Sequence, residues 1–234
     1  MAQSSQELGI FLTPMQLEQF QVYHEELAEW NQRVNLTSVV ERREVQVKHF
    51  LDSFTVCLAL PGRLNSSIKV VDVGAGAGFP GLPLKIAFPE IQLSLVESVG
   101  RKAAFLEHLV MTLGLSGVDV YTGRAETLAH EPELRESFDL AVTRGVAKLA
   151  TLAEYTLPFC RTGGKVVALK HGGIEGELAA ATHALEVLGG RLGEVRPVAV
   201  SGLTDNRVVV TVEKTGITPE QYPRRPGMPA KRPL

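Results

Sequence analysis

The sequence predicts an α/β protein, a Rossmann-like and mostly parallel sheet flanked by helices, with a helical extension in front of it. Three observations predict it. Residues 66–213 alternate short β-branched runs with stretches of helical period, which is the pattern of right-handed βαβ units. The apolar strand runs, such as Val70-Val71, lack clean alternation, as strands covered on both faces do. The first of them runs directly into a Gly-rich turn from Asp72 to Gly81, and a helical pattern follows it.

The chain has 234 residues, 44% of them hydrophobic, enough for one large domain with a small extension. Charged residues make up 21% and the net charge is −2, an ordinary profile that leaves a nucleic-acid partner open. The two cysteines, Cys57 and Cys160, form no C-x-x-C pair, so no metal site is expected. No run approaches the ~18 apolar residues of a membrane span. The N-terminus lacks a basic segment followed by an apolar one. The cytoplasm is therefore the default compartment, no membrane partner is expected, and a monomer is expected.

The elements divide into three parts: a helical extension over 1–60, the Rossmann-like domain over 61–213 and a tail over 214–234. In the first part Leu17, Phe20, Leu27 and Trp30 recur at helical spacing, with Thr13 as N-cap and Pro14 at the first helical position. A second helix is predicted from about 41 to 60, stopping at Pro61-Gly62. This part holds eight acids and four bases, so its charge does not favour gripping RNA. Asn35 and Thr37 read as caps of the next element. In the domain, strands are predicted at 68–73, 92–97, 118–121, 138–143, 165–170 and 206–213, and helices at about 81–88, 101–113, 146–158 and 174–188. In the tail, four prolines fall between Pro223 and Pro233, and residues 222–234 carry Arg224, Arg225, Lys231 and Arg232 without an acid. An extended segment is predicted there. It reads either as a solvated tail or as a basic strap near the site that contacts phosphate.

The turn itself reads Asp72-Val73-Gly74-Ala75-Gly76-Ala77-Gly78-Phe79-Pro80-Gly81. Glycines permit positive φ and close approach of a ligand, and the helix start adds free N–H donors. A dinucleotide fingerprint counted from Gly74 requires glycine at 79 and meets Phe79; the match at Gly76, Gly78 and Gly81 begins two residues late and contains Pro80. The pattern D-x-G-x-G-x-G instead resembles the first motif of seven-stranded S-adenosylmethionine-dependent methyltransferases. That resemblance implies that Asp72 orients the methionine part and that the glycines leave room for the ligand. Glu97 lies 23 residues after Gly74, where either fold family places an acid for ribose hydroxyls.

Further stretches sharpen the resemblance: Trp30-Asn31 with Asn35-Leu36-Thr37-Ser38, His49-Phe50-Leu51-Asp52-Ser53, the block from Asp72 to Ile86, Glu97-Ser98 with Arg101-Lys102 and Phe105-Leu106, Arg124-Ala125-Glu126, Thr143-Arg144, Leu169-Lys170 and the tail from Tyr222 to Gly227. With these the chain resembles the ribosomal RNA small-subunit methyltransferase G family, also called glucose-inhibited division protein B, over nearly its whole length. The resemblance implies an enzyme that transfers methyl from S-adenosylmethionine to N7 of one guanosine in 16S rRNA, bare or in a bacterial small-subunit assembly particle. It implies S-adenosylhomocysteine as product and donor contacts at Gly74, Phe79, Ala125, Glu126 and Arg144. Two positions depart from the family pattern: Gly145-Val146 stands where many members have Ala-Phe, and His171 separates Lys170 from Gly172.

The chemistry suits these residues. Guanine N7 has an in-plane lone pair and no proton, so no general base is required and positioning dominates. Amino-group methyltransferases of this fold often carry [DN]PP[YF] after the fourth strand; Thr143-Arg144-Gly145-Val146 stands here instead. Neither cysteine follows proline as a base-attacking nucleophile typically does, and both read as packed or incidental. Ala125 and Glu126 are expected in a loop beside the adenine, and Phe79 against the donor. Arg144, at the mouth of the fourth strand, would meet the donor or an RNA phosphate, the alternative being a surface ion pair. His49 and Asp52, three apart on one helix face, are substrate-positioning candidates with Arg144, the alternative being a helix-packing bond. Arg101, Lys102, Arg124, Lys148 and Lys170, with Arg224 and Arg225, form the candidate basic rim for RNA. A methyltransferase acting on another acceptor, a nicotinamide-dependent oxidoreductase and an RNA-binding assembly factor are the competing readings.

Overall fold

The structure, a computed structural model, describes residues 2–60, 62, 64 and 67–234. The expected helix stop at Pro61 lies outside them.

Helix α1 (Ala2–Gln6) precedes α2 (Pro14–Val34), which starts as the sequence predicts. Thr13 accepts from the Gln16 N–H, and Gln16 reaches back to the Thr13 N–H, a reciprocal cap. The buried face holds Gln16, Phe20, Tyr23 and Leu27. Leu17, expected in that face, is 38% exposed, and Tyr23 fills the groove instead. Asn35 closes this helix in the left-handed region at φ 51°, so it caps the preceding element and not the next one. Thr37 caps nothing helical: its Oγ1 accepts from the Val39 N–H and meets His49.

The predicted second helix is a run of four segments of three kinds: α3 (Arg42–Val45), a π turn (Gln46–Leu51), α4 (Asp52–Phe54) and a 3₁₀ turn (Thr55–Ala59). π turns inside helices are rare and concentrate at functional sites. This one contains His49.

Among the described residues seven strands form one sheet in the order β3-β2-β1-β4-β5-β7-β6, the first five parallel and β7 antiparallel to β5. They are β1 (Lys69–Val73), β2 (Gln92–Glu97), β3 (Val118–Thr122), β4 (Phe138–Arg144), β5 (Cys160–His171), β6 (Gly190–Pro197) and β7 (Arg207–Lys214). Strand β6 lacks a sequence signal because it is a largely exposed edge with the run GRLGEVRP. Between the strands lie α5 (Gly81–Ala87), α6 (Gly100–Thr112), α7 (Ala125–Leu128), α8 (Leu149–Thr156) and α9 (Glu175–Val187).

Successive strand residues feed opposite faces. Leu140, Val142, Val167 and Leu169 enter one core with Phe20, Tyr23, Phe50, Leu82 and Phe105. Ala141, Val166 and Ala168 enter the other with Leu149, Leu152, Ala181 and Leu185. The N-terminal helices therefore share a layer with α5 and α6 and do not stand apart as an appendage.

The tail is neither extended throughout nor loose. It ends in the short helix α10 (Met228–Lys231) and packs on α8, where the Thr151 hydroxyl donates to Pro229 O. Among the described residues no helix is long and apolar enough to cross a membrane.

Candidate active site

Strand β1 sits between β2 and β4, so the chain's crossovers leave it in opposite directions. In an open parallel sheet ligands bind at the carboxyl ends of the strands at such a switch point. The Gly-rich turn stands there. The N–H groups of Gly74 and Ala75 both donate to Val96 O, which ties the turn to β2.

Two glycines have reasons that are steric as well as conformational. Gly74 has φ +76°, and a Cβ there would stand 2.7 Å from Val146 Cγ2. Gly78 has φ +94°, and its Cβ would meet the Tyr23 hydroxyl at 2.5 Å. At Gly76 (φ +60°) a Cβ would meet only Gly74 O, at an ordinary 3.9 Å; its amide donates to Glu97 Oε2 at 2.8 Å. Glu97 Oε1 accepts from the Val99 N–H at 2.7 Å, so this carboxylate already organises two loops, with lone pairs left over on both oxygens.

Asp72 is fully buried. Its Oδ2 accepts from the Gly81 N–H at 2.7 Å, and its Oδ1 has no hydrogen-bond partner. Burial pushes its carboxyl up to about 7; the Gly81 N–H and the Arg144 cation pull the other way. A buried acceptor without a donor costs about 1–3 kcal/mol, and such an atom in a native fold marks a place for a polar ligand group or water.

Beside the turn a cleft is lined by Val73, Gly74, Val96, Ala125, Glu126 and Val146. Ala125 and Glu126 are not in a loop: they open the short helix α7. Glu126 is 4% exposed, and its Oε1 accepts from the Gly227 N–H of the tail at 2.9 Å. Phe79 does not face this cleft. It is 4% exposed and stacks on Tyr23 at 5.4 Å and His49 at 4.5 Å, so its expected side-chain contact with the donor gives way to a place in an aromatic cluster.

Arg144 meets His49 and Asp52, more than ninety positions earlier in the chain, next to that cluster. Arg144 donates to Asp52 Oδ2 and Lys48 O, both at 3.0 Å, and its Nη2 lies 3.1 Å from His49 Nδ1. Its guanidinium carbon stands 4.9 Å from the Phe79 ring centre. His49 Nδ1 lies 3.1 Å from both the Arg144 guanidinium, which can only donate, and Lys48 O, which can only accept, so the two contacts call for opposite tautomers; Nε2 lies 2.8 Å from Thr37 Oγ1. Burial, then the Arg144 cation, lowers the His49 pKa to about 4, so the ring is neutral near pH 7. The bond is not helix packing within one element; it joins the π turn to β4.

A further residue, Arg207, carries no signal in the sequence. It donates to Asp52 Oδ1 at 2.5 Å and grips Asp205 through Nε and Nη2 at 2.7 and 3.0 Å. Asp52 thus sits 3% exposed between two guanidinium groups. No local motif marks Arg207; only the β5–β7 register, His171 opposite Arg207, brings it there.

The basic rim divides. Arg101, Arg124, Lys148 and Arg225 are exposed and Lys102 half-buried, all without an ion pair among the described residues. Lys170 is not available to RNA: its Nζ donates to Glu177 Oε1 at 2.5 Å and Ala147 O at 2.6 Å. Arg224 is likewise committed, to the fully buried Glu154. Both leave the candidate RNA surface. Burial raises the thiols of Cys57 and Cys160 to about 12, which keeps them protonated and poor nucleophiles.

Comparison with known proteins adds to this geometry. A family model for rRNA small subunit methyltransferase G matches residues 16–202. The ribosomal RNA small subunit methyltransferase G of Dehalococcoides mccartyi strain CBDB1 is 50% identical over 97% of this chain and 95% of its own length. The protein of the same name from Moorella thermoacetica is 47% identical over the whole chain and 97% of its own length. Among solved structures, MtNAS in complex with MTA and tNA aligns with a TM-score of 0.56 at 15% identity, covering 86% of this chain and 70% of that one. TrmN from Thermus thermophilus aligns at 0.52 and 17% identity, covering 72% and 53%. The [4+2]-cyclase SpnF aligns at 0.54 and 16% identity, covering 71% and 82%. These three establish the fold alone, and their differing names illustrate that a fold does not dictate a reaction.

Proposed function

Because this chain belongs to the rRNA small subunit methyltransferase G family, we propose that it transfers methyl from S-adenosylmethionine to N7 of one guanosine in 16S rRNA. The observation that carries the donor assignment is the buried, unpaired Oδ1 of Asp72 beside a turn whose glycines leave no side chain in the way. Such an acceptor suits a cationic ammonium, directly or through one water. It opposes a pyrophosphate, whose charge has the same sign. The residues present therefore fit S-adenosylmethionine better than a nicotinamide dinucleotide.

When bound, S-adenosylmethionine supplies an electrophilic methyl group on a sulfonium. The chain's own residues do the rest. Asp72, through its unpaired Oδ1, would hold the methionyl ammonium, directly or through one water. Glu97, with its loops already fixed, offers its remaining lone pairs to the ribose hydroxyls. Gly74 keeps the floor of the cleft open, and Ala125 with Glu126 forms the wall beside the adenine. Arg144, held by Asp52 and His49, points the acceptor base; guanine N7 brings no proton to the site, and His49, neutral and hydrogen-bonded on both nitrogens, is not needed as a base. Arg101, Lys102, Arg124, Lys148 and Arg225 supply phosphate contacts around the cleft mouth.

Titration calorimetry tests the donor assignment. One equivalent of S-adenosylmethionine should bind, and NADH should give no heat of binding. Saturable NADH binding without S-adenosylmethionine binding would end the proposal.

A further inference from the structure

Two buried carboxylates on α7 and α8 draw their hydrogen bonds from the C-terminal tail. Glu154 is fully buried, and its oxygens accept from Arg224 at the backbone N–H (2.7 Å), at Nε (2.9 and 3.2 Å) and at Nη2 (2.7 Å). Glu126, in the wall of the donor cleft, accepts from the Gly227 N–H. The tail is pinned at further points. Arg135 donates to the carbonyls of Thr218 and Tyr222 at 2.9 and 3.0 Å while also reaching Ala129 O, at the C-cap of α7. The Thr151 hydroxyl on α8 donates to Pro229 O.

We propose that residues 222–229 are a strap that positions the donor cleft, with Arg224 as its anchor on Glu154 and the Gly227 amide as its contact to Glu126. The proposal rests on the donor lying against Ala125 and Glu126, as the proposed function has it. Strap and donor are then thermodynamically linked. With the strap seated, the Glu126 carboxylate is held in one orientation at the cleft wall. With the strap released, Glu126 loses that amide, and Glu154 is left as a buried carboxylate without a cation. A ligand that favours the ordered wall must therefore favour the seated strap by the same factor. Arg224 and Gly227 act through Glu126 and are positioning residues; neither lines the cleft. This assigns the basic tail a role other than gripping phosphate, since the first of its arginines is spent on an internal carboxylate.

Amide hydrogen exchange on the full-length protein, with and without saturating S-adenosylmethionine, tests this without any variant. The donor should slow exchange at 74–78 and 123–127 and, by at least severalfold, at 224–229. Slowing at 74–78 with unchanged exchange at 224–229 overturns the strap. Slowing nowhere overturns the donor assignment on which the strap depends. Arg224→Lys, which keeps the charge but loses the fork, supplies a second readout. The KM for S-adenosylmethionine should rise about tenfold, with kcat and the KM for rRNA nearly unchanged. A fall in kcat at unchanged donor KM overturns the proposal.

Discussion

Asp72 carries the most informative atom in the molecule, an unpaired buried oxygen on a carboxyl raised to about 7. If an ammonium occupies that position, the ionised form is favoured and binding must release protons near pH 7. Calorimetry in buffers of different ionisation enthalpy should report that release, and Asp72→Asn should abolish it while weakening binding. In the unliganded protein the raised pKa means that stability present below pH ~3.8 is lost as pH rises toward 7. His49 acts in the opposite sense. Its pKa is lowered to about 4, so its contribution is present above pH ~6.5 and is lost as pH falls toward 4, by roughly 3 kcal/mol. Denaturant unfolding of His49→Gln across that window should lose this part of the acid slope. Gly74→Ala forces a Cβ within 2.7 Å of Val146 at positive φ and should reduce donor affinity by at least tenfold. Residues at this scale were legible where a local motif carries them. Asp72, Gly74 and Glu97 announce themselves by spacing; Arg207 and Thr37 do not, because only tertiary register brings them to Asp52 and His49.

At the scale of elements, the strands and helices around the turn follow from β-branched runs and helical period, and their predicted bounds fall within a few residues of the structure. The misses have physical causes. Strand β6 is an exposed edge that buries little, so its sequence has no apolar rhythm to read. The tail has the composition of a solvated segment, yet the Arg224–Glu154 pair seats it, and no local pattern links residue 154 to residue 224. That pair sets an expectation for stability. Arg224→Ala leaves Glu154 buried without its cation and should cost about 3–5 kcal/mol in denaturant unfolding. Arg224→Met combined with Glu154→Leu should recover most of that loss. A double mutant as unstable as the single one would show that the ion pair is not the source.

For the molecule as a whole, two cores separated by one twisted sheet place every candidate group at one edge. The N-terminal helices thicken one face and bring His49 and Asp52 to the end of β4; the C-terminal strap thickens the other and brings Gly227 to α7. The edge so built carries exposed basic residues without an ion pair among the described residues, while the chain as a whole has a net charge of −2. Composition hid this surface, because its sign exists only after folding. Charge reversal at Arg101 and Lys148, which do not line the donor cleft, should weaken rRNA binding, lower the salt slope by about one for each phosphate that is no longer neutralised, and leave donor affinity unchanged. Equal binding and slope would remove these residues from the RNA surface.

Methyl transfer to guanine N7 can be read out by incubating the purified protein with methyl-labelled S-adenosylmethionine and small-subunit rRNA from cells lacking the gene, then locating the label. The expected result is label in a single guanosine of 16S rRNA, as 7-methylguanosine, at a site where borohydride and aniline cleave the chain. Label on an exocyclic amine or a ribose, or transfer to protein with none to rRNA, would contradict it.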